Sequence, residues 1–482
     1  MTHRQLQIVC GVTLMLVSSL LWAQDDGTVP GAAEATDRPA LPEAVKPDAA
    51  KVRTLGDVPP AEPSEAPMAS PVVEPGILSE MVARPAQARA RLTAVGDILF
   101  HRPLIRGLKA EAAHAESDAQ ESPSTEASLD GPPEARSRWP FTLLRYFANR
   151  SDLVIGNLET PINVKPRQPS APLRFSAPVT IAERLRDAGV GLASVANNHA
   201  YDQGQAGLDE TLVHLKNHEI GAMGLGREDV PLAATIRQVG KLRFAFLGYS
   251  FLTNRYPTPL SVDEAQINLI SRRQGRGRRT RLKAMDTAIQ AAAKEADYVV
   301  VSVHWGSEYT TKPSREQRKL ARRMVANGAD LILGHHPHVL QPVEHQMMAD
   351  GRYAVIAYSL GNYIANQSYH YNLFTSRWIP DELSTRDSAV FQFDFGWDPS
   401  SLERDRIRVT AHPVWLVNRL LYIEGKTRGR RVEPRLIEDL SSLEEHQSKT
   451  RYLKRLEHRQ KLIERVLRLH RLSSSNEETA KR

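Results

Sequence analysis

His304-Trp305-Gly306-Ser307-Glu308 and Gly334-His335-His336-Pro337-His338 each follow a short apolar run, Tyr298 to Val303 and Leu331 to Leu333. Imidazoles are therefore delivered at the ends of two buried strands. Three upstream runs end in the same manner: Leu92 to Val95 before Gly96-Asp97, Leu153 to Ile155 before Gly156-Asn157-Leu158-Glu159, and Leu192 to Ala196 before Asn197-Asn198-His199. In open α/β sheets ligands gather beyond the carboxyl ends of the strands. A single histidine there is usually just a hydrogen-bonded loop residue, but five polar clusters at matching positions point to one metal site.

The segments between these runs have the apolar spacing of helices, near Phe141 to Asn149, Val179 to Ala188, Gly207 to Asn217, Leu282 to Glu295 and Glu316 to Asn327. The rhythm predicts an α/β fold. Further strands are expected at Leu242 to Leu247, Ala354 to Tyr358, Val390 to Phe395 and Ile407 to Thr410, the last three without long intervening helices, which favours a mixed, partly antiparallel sheet.

Arg4 precedes an apolar stretch from Leu6 to Ala23, followed by Asp25 and Asp26. Residues 1–23 are read as an export signal or, being almost long enough to span a bilayer, a retained membrane anchor. Export places the chain in the periplasm or cell envelope. The only cysteine, Cys10, lies in that stretch, so the rest of the chain has neither disulfides nor thiolate ligands and any metal must be held by nitrogen and oxygen. Residues 24–90, rich in Pro, Ala and Glu, cannot bury a core and are expected to be a disordered linker. Residues 109–136 are expected to be a low-complexity surface loop within a domain spanning 91–425. Apolar residues from Tyr452 to Leu467 recur at helical spacing among Arg and Lys, predicting a basic amphipathic helix over 436–472 before a frayed tail, 473–482.

The 482 residues are 41% hydrophobic, with a formal charge of +7 and a pI near 9.4, which fits a large globular core attracted to polyanions. The run Arg272, Arg273, Arg276, Arg278, Arg279 and Arg281 is either a solvated loop leading into the Leu282 helix or a dock for an acidic polymer or phospholipid surface; export argues against nucleic acid. Other signatures fail. Gly248-Tyr249-Ser250-Phe251 ends in Leu252 where a nucleophile elbow needs glycine, Gly224-Leu225-Gly226 lacks the third glycine of a dinucleotide loop, and there is no Walker loop.

Taken in order, the five clusters, with Asp202, Glu308 and the later Ser359-Leu360-Gly361-Asn362, resemble the CapA-type poly-γ-glutamate capsule synthesis proteins over about Leu92 to Tyr422. That family is similar to calcineurin-like metallophosphoesterases. The resemblance implies a four-layer sandwich of two mixed β-sheets flanked by helices and two divalent metal ions, Mn, Fe or Zn. It implies Asp97 and His338 on the first metal, Glu159 bridging, Asn198, His304 and His336 on the second, and His199 facing substrate as an electrostatic or general-acid group. His101, Asn157, Asp202, Glu308 and Asn362 would support the ligands or contact substrate. The Asp-x-His of the phosphoesterases is here Asp97-Ile98-Leu99, with His101 displaced. The implied function is synthesis, release or handling of an anionic cell-surface polymer by metal-dependent hydrolysis, with membrane-bound synthesis or export partners. The alternative is a polymer-binding accessory without turnover.

Overall fold

The computed structural model describes residues 88–121, 140–166, 173–226, 234–255, 266–270, 276–348, 351–371, most of 373–398, and 403–404, 407–442 and 450–467. The signal or anchor stretch, nearly all of the linker and the C-terminal tail lie outside them. Among the described residues no helix is long and apolar enough to cross a membrane.

Seventeen strands are assigned among the described residues: β1 Ala88–Ile98, β2 Leu153–Leu158, β3 Val190–Ser194, β4 Gly221–Met223, β5 Leu225–Gly226, β6 Thr235–Val239, β7 Leu242–Ser250, β8 Gln266–Ile267, β9 Tyr298–His304, β10 Leu331–His335, β11 Val343–Met347, β12 Tyr353–Ala357, β13 Asn362–Ile364, β14 Asp387–Asp398, β15 Glu403–Arg404, β16 Arg408–Ile423 and β17 Lys426–Leu436. One sheet runs β17-β16-β14-β1-β2-β3-β4, with β13 beside β1 and β15 beside β14; a second runs β11-β12-β10-β9-β7-β6. Both are mixed. In the first, β1 to β4 are parallel and β14, β16 and β17 antiparallel. In the second, β7, β9, β10 and β12 are parallel and the edges β6 and β11 antiparallel.

The central strands of the second sheet, β7, β9, β10 and β12, are almost continuously apolar because both faces are covered. Phe244, Phe246, Val300 and Leu333 point into the core shared with Leu92, Ala94, Ile155 and Leu192 of the first sheet. Their neighbours Ala245, Leu247, Tyr249, Val301 and Ile332 point the other way, onto Met285, Ile289, Leu320 and Met324 of two helices. Burial of each large side chain contributes about 1.5–3 kcal/mol. These two helices are α5 (Arg276–Glu295) and α6 (Arg315–Ala326). Helix α6 opens with a capping box in which the Ser314 side chain accepts from Gln317 N and the Gln317 side chain accepts from Ser314 N. The other helices are α1 (Arg102–Glu121), α2 (Thr142–Ala148), α3 (Thr180–Asp187), α4 (Gly204–Asn217), α7 (Ile437–Ser442) and α8 (Thr450–Leu467). The fold is the expected pair of mixed sheets flanked by helices.

Five boundaries differ from expectation. Helix α1 runs through 109–121, the first part of the expected loop, because Ala and Glu there are strong helix formers; residues 122–139 lie outside the described residues. The arginine run from Arg276 is not a loop but the first turns of α5. The domain does not end at 425, since β17 pairs with β16 as far as Leu436, nor does the linker reach 90, since β1 starts at Ala88. Among the described residues the region 436–472 holds two helices, and Tyr452, Leu456, Leu462, Ile463 and Leu467 are buried in the core cluster.

The topology brings the polar clusters together. Asp97 lies beside Asn157 on one side and Asn362 on the other, while His335 pairs with His304 in the second sheet. Gly96 permits this crowding: a Cβ there would stand 2.0 Å from the Gly361 carbonyl oxygen.

Candidate metal centre

Two carboxylates come from the first sheet and three imidazoles from the second. Asp97 leaves β1 and Glu159 follows β2, both fully buried. His304 ends β9, and His336 and His338 sit in the turn after β10 with φ values of 93° and 56°, a left-handed backbone that non-glycine residues rarely adopt. Such strain is held where surrounding structure over-determines it, often at functional sites.

Ligand-type atoms of Glu159, His336 and His338 lie within 4.8 Å of one another, as do those of Asp97, Glu159 and His304. Glu159 belongs to both groups, the place a bridging carboxylate would take. Within these groups His336 stands with His338 and Asp97 with His304, and the pairs named by the sequence resemblance are also adjacent: His338 Nδ1 lies 3.0 Å from Asp97 Oδ2, and the His304 and His336 ring centroids are 4.8 Å apart.

The remaining contacts hold this cluster rigid. Asn157 Nδ2 donates to Asp97 Oδ1 at 2.8 Å, and its own Oδ1 faces Asn197 Nδ2 at 3.4 Å. Asn198 Oδ1 lies 2.8 Å from His304 Nε2, and His304 Nε2 lies 3.5 Å from Glu159 Oε1. His338 Nδ1 is 3.0 Å from both Asp97 Oδ2 and Asn362 Oδ1; Asn362 is fixed by donating to Gln367 and to the Thr385 carbonyl. His199 Nδ1 lies 2.8 Å from Asp202 Oδ2, which also accepts from Phe175 N, so Asp202 orients the ring and leaves Nε2 facing Asn254 Nδ2 at 3.5 Å. His101 is buried against Phe175, with Asn366 N donating to its Nδ1 at 3.2 Å, and it joins neither group. Glu308 is exposed on the loop after β9, outside the buried cluster.

Sequence reasoning missed His335, whose Nδ1 is 3.3 Å from Asp97 Oδ1, and also Phe175 and Asn254 beside His199. His335 was legible in principle, as the last residue of the strand that carries the His-His-Pro-His run. Phe175 and Asn254 have no sequence signal.

Charge is tightly balanced. Burial pushes the Glu159 carboxyl well up, and repulsion from Asp97 adds to it. Burial also acts to raise Asp97, but His335 and His338 outweigh it and hold that carboxyl well below its usual range. Burial opposes a charge on His338, yet Glu159 and Asp97 lift it to about 10. His304 is pushed well down by burial and then by His336, and His101 falls to about 3 by burial and then by His338 and His199.

Neither oxygen of Glu159 meets a hydrogen-bond donor among the described residues, although both are buried. A desolvated carboxylate without donors costs several kcal/mol unless a cation compensates it. The imidazole nitrogens and carboxylate oxygens around it suit Mn, Fe or Zn. The donor set therefore fits divalent metal.

Several curated proteins are similar to the chain in sequence. It is 30% identical over 259 residues to the capsule biosynthesis protein CapA of Bacillus anthracis (51% of this chain, 55% of that one) and 32% identical over 255 residues to the PGA biosynthesis protein CapA of Bacillus subtilis (50% and 57%). It is 28% identical over 220 residues to a probable polyglutamine synthesis accessory protein of Mycobacterium tuberculosis (43% and 56%). The chain thus spans little more than half the length of these relatives. Among solved structures, a Mycoplasma pneumoniae phosphatase aligns with 68% of this chain and 94% of its own at 14% identity and a TM-score of 0.33. The family model of the bacterial capsule synthesis protein PGA_cap matches residues 91–367, and the chain belongs to that family.

Proposed function

We propose that this is an exported protein acting in the synthesis, release or handling of an anionic cell-surface polymer such as poly-γ-glutamate, through metal-dependent hydrolysis. The observation that carries the reading is the buried Glu159 carboxylate, without donors and surrounded by Asp97, His304, His336 and His338. The relatives' names supply the polymer. Two divalent ions held by these residues and Asn198 would supply Lewis acidity toward an oxygen of the scissile group. His199, its Nδ1–H directed at Asp202, would deliver a proton from Nε2 to the leaving atom. Asn157 and Asn362 hold Asp97 and His338 in place.

The test is elemental analysis of the full chain, purified without chelators, with His336→Ala and His338→Ala alongside. Close to two metals per chain, lost in both variants together with polymer cleavage, is the expected result. Little metal even after supplying Mn, Fe or Zn would overturn hydrolysis and leave a polymer-binding accessory.

A further inference from the structure

Helix α5 carries six cations against two anions and α6 five against one, a net surplus of eight on two neighbouring helices, more than the +7 of the whole chain. The surplus is ordered. Arg276, Arg279 and Lys283 recur at i, i+3 and i+7 on α5, and Arg315, Lys319 and Arg322 at i, i+4 and i+7 on α6, so each set forms one stripe, and all six are exposed. Each stripe is about 10 Å long. Cations nearer the core are matched instead: Arg278 to Glu316, Arg323 to Asp286, Arg318 to Glu344. Among the described residues no ion pair involves the six stripe residues.

Their position opposes local stability. Helix α5 has no acidic residue in its first turn and gathers its arginines there, at the positive end of the macrodipole, where anions are favoured. A sequence selected only for a solvated helix would reverse that order. The same ends lie toward the metal centre. Helix α6 follows β9 beyond His304, α5 leads back to the start of β9, and the Arg278–Glu316 pair joins the two helix starts. Gln317 in the first turn of α6 bonds to Gln341, which in turn donates to the Thr310 carbonyl on the loop that bears Glu308 and Tyr309.

We infer that the paired cationic stripes of α5 and α6 form a docking track for a hydrated polycarboxylate chain, leading it toward the metal centre. The inference rests on the proposed polymer reading for the identity of its ligand. A repeating carboxylate polymer matches rows of evenly spaced, solvated cations, whereas a helix that enters a lipid surface also presents apolar side chains. The large exposed apolar residues among the described residues, such as Leu420 and Tyr422, all lie off these two helices.

The experiment measures binding of fluorescently labelled poly-γ-glutamate to the full chain by anisotropy, at low and high ionic strength. The triple variant Arg276→Glu, Arg279→Glu, Lys319→Glu is expected to lose affinity about tenfold or more and to show a shallower salt dependence. A control reversing three exposed lysines elsewhere, Lys216→Glu, Lys241→Glu and Lys454→Glu, is expected to change it far less. The first two substitutions of the test variant place anions at a helix start, so unfolding is not their expected effect, and a melting curve checks this. Unchanged binding by the triple variant overturns the track, as does wild-type binding to phosphatidylglycerol vesicles without binding to the polymer. Repeating the assay with chelator and with His336→Ala separates the two ideas: docking that survives without metal supports the track, even if metal analysis overturns hydrolysis.

Discussion

Glu159→Gln should stabilise the metal-free protein and abolish its stabilisation by metal. Both Glu159 oxygens are buried without a donor and each such orphaned polar atom costs about 1–3 kcal/mol, so the carboxyl group burdens the metal-free fold by about 2–6 kcal/mol. Glutamine puts an amide N–H within reach of Asp97 and the imidazoles, so about 2 kcal/mol should be recovered. In the wild type, a divalent ion at a thousandfold excess over its Kd contributes about 4 kcal/mol to the folded state. The assay is thermal unfolding with chelator and with excess Mn. The variant should melt a few degrees above wild type in chelator and below it in metal, so the order reverses. A variant that melts lower in both conditions, or a wild type indifferent to metal, would refute the claim that Glu159 is held in place for a cation.

Arg459 of α8 is buried and its guanidinium donates to both oxygens of Asp387 and to the carbonyls of Pro380 and Glu382; Arg459→Ala should destabilise by about 3–5 kcal/mol in denaturant titration, with Arg459→Lys between it and wild type. Gly96→Ala should cost about 3 kcal/mol and lower metal content as well, because the backbone bearing Asp97 must retreat from Gly361, and elemental analysis with a melting curve checks both. His412 is pushed down to about 4 by burial and then by Arg91, below its usual 6.5, so the unfolded chain takes up its proton first as pH falls. Stability from this residue is complete above pH 6.5 and declines by about 3 kcal/mol down to pH 4, a slope that His412→Gln should remove from the pH dependence of unfolding.

The centre was legible because its residues lie at strand ends, where an apolar run followed by His, Asn or Asp marks both the strand and its functional end. That pattern marks the strand-end clusters, the family resemblance singles out Asp97, Glu159, Asn198, His304, His336 and His338 within them, and the fold brings these residues close together. What stayed hidden depended on pairings far apart in sequence. The role of Arg459 cannot be read from its helix, because Asp387 lies 72 residues upstream. Residues 109–121 were misjudged because alanine and charged residues serve equally for a low-complexity loop and a helix, and only packing on β17 decides between them. Strands β16 and β17 carry many arginines along a sheet margin, so their alternation is blurred where one face is solvated.

The division of ligands between the two sheets has a consequence for the whole fold. Asp97 and Glu159 come from the first sheet, and His304, His336 and His338 from the second, so each candidate group spans the sandwich. With Asp97 and Glu159 held close, the metal-free protein must offset negative charge at the seam, and the raised His338 supplies a proton there. Metal ligation requires that proton to leave. A divalent ion held by these residues would therefore exchange with a proton, and because its ligands would come from both sheets it would stabilise their packing as well as the site. The packing of the two sheets and the proposed chemistry would then depend on the same few side chains, with Glu159 common to both groups.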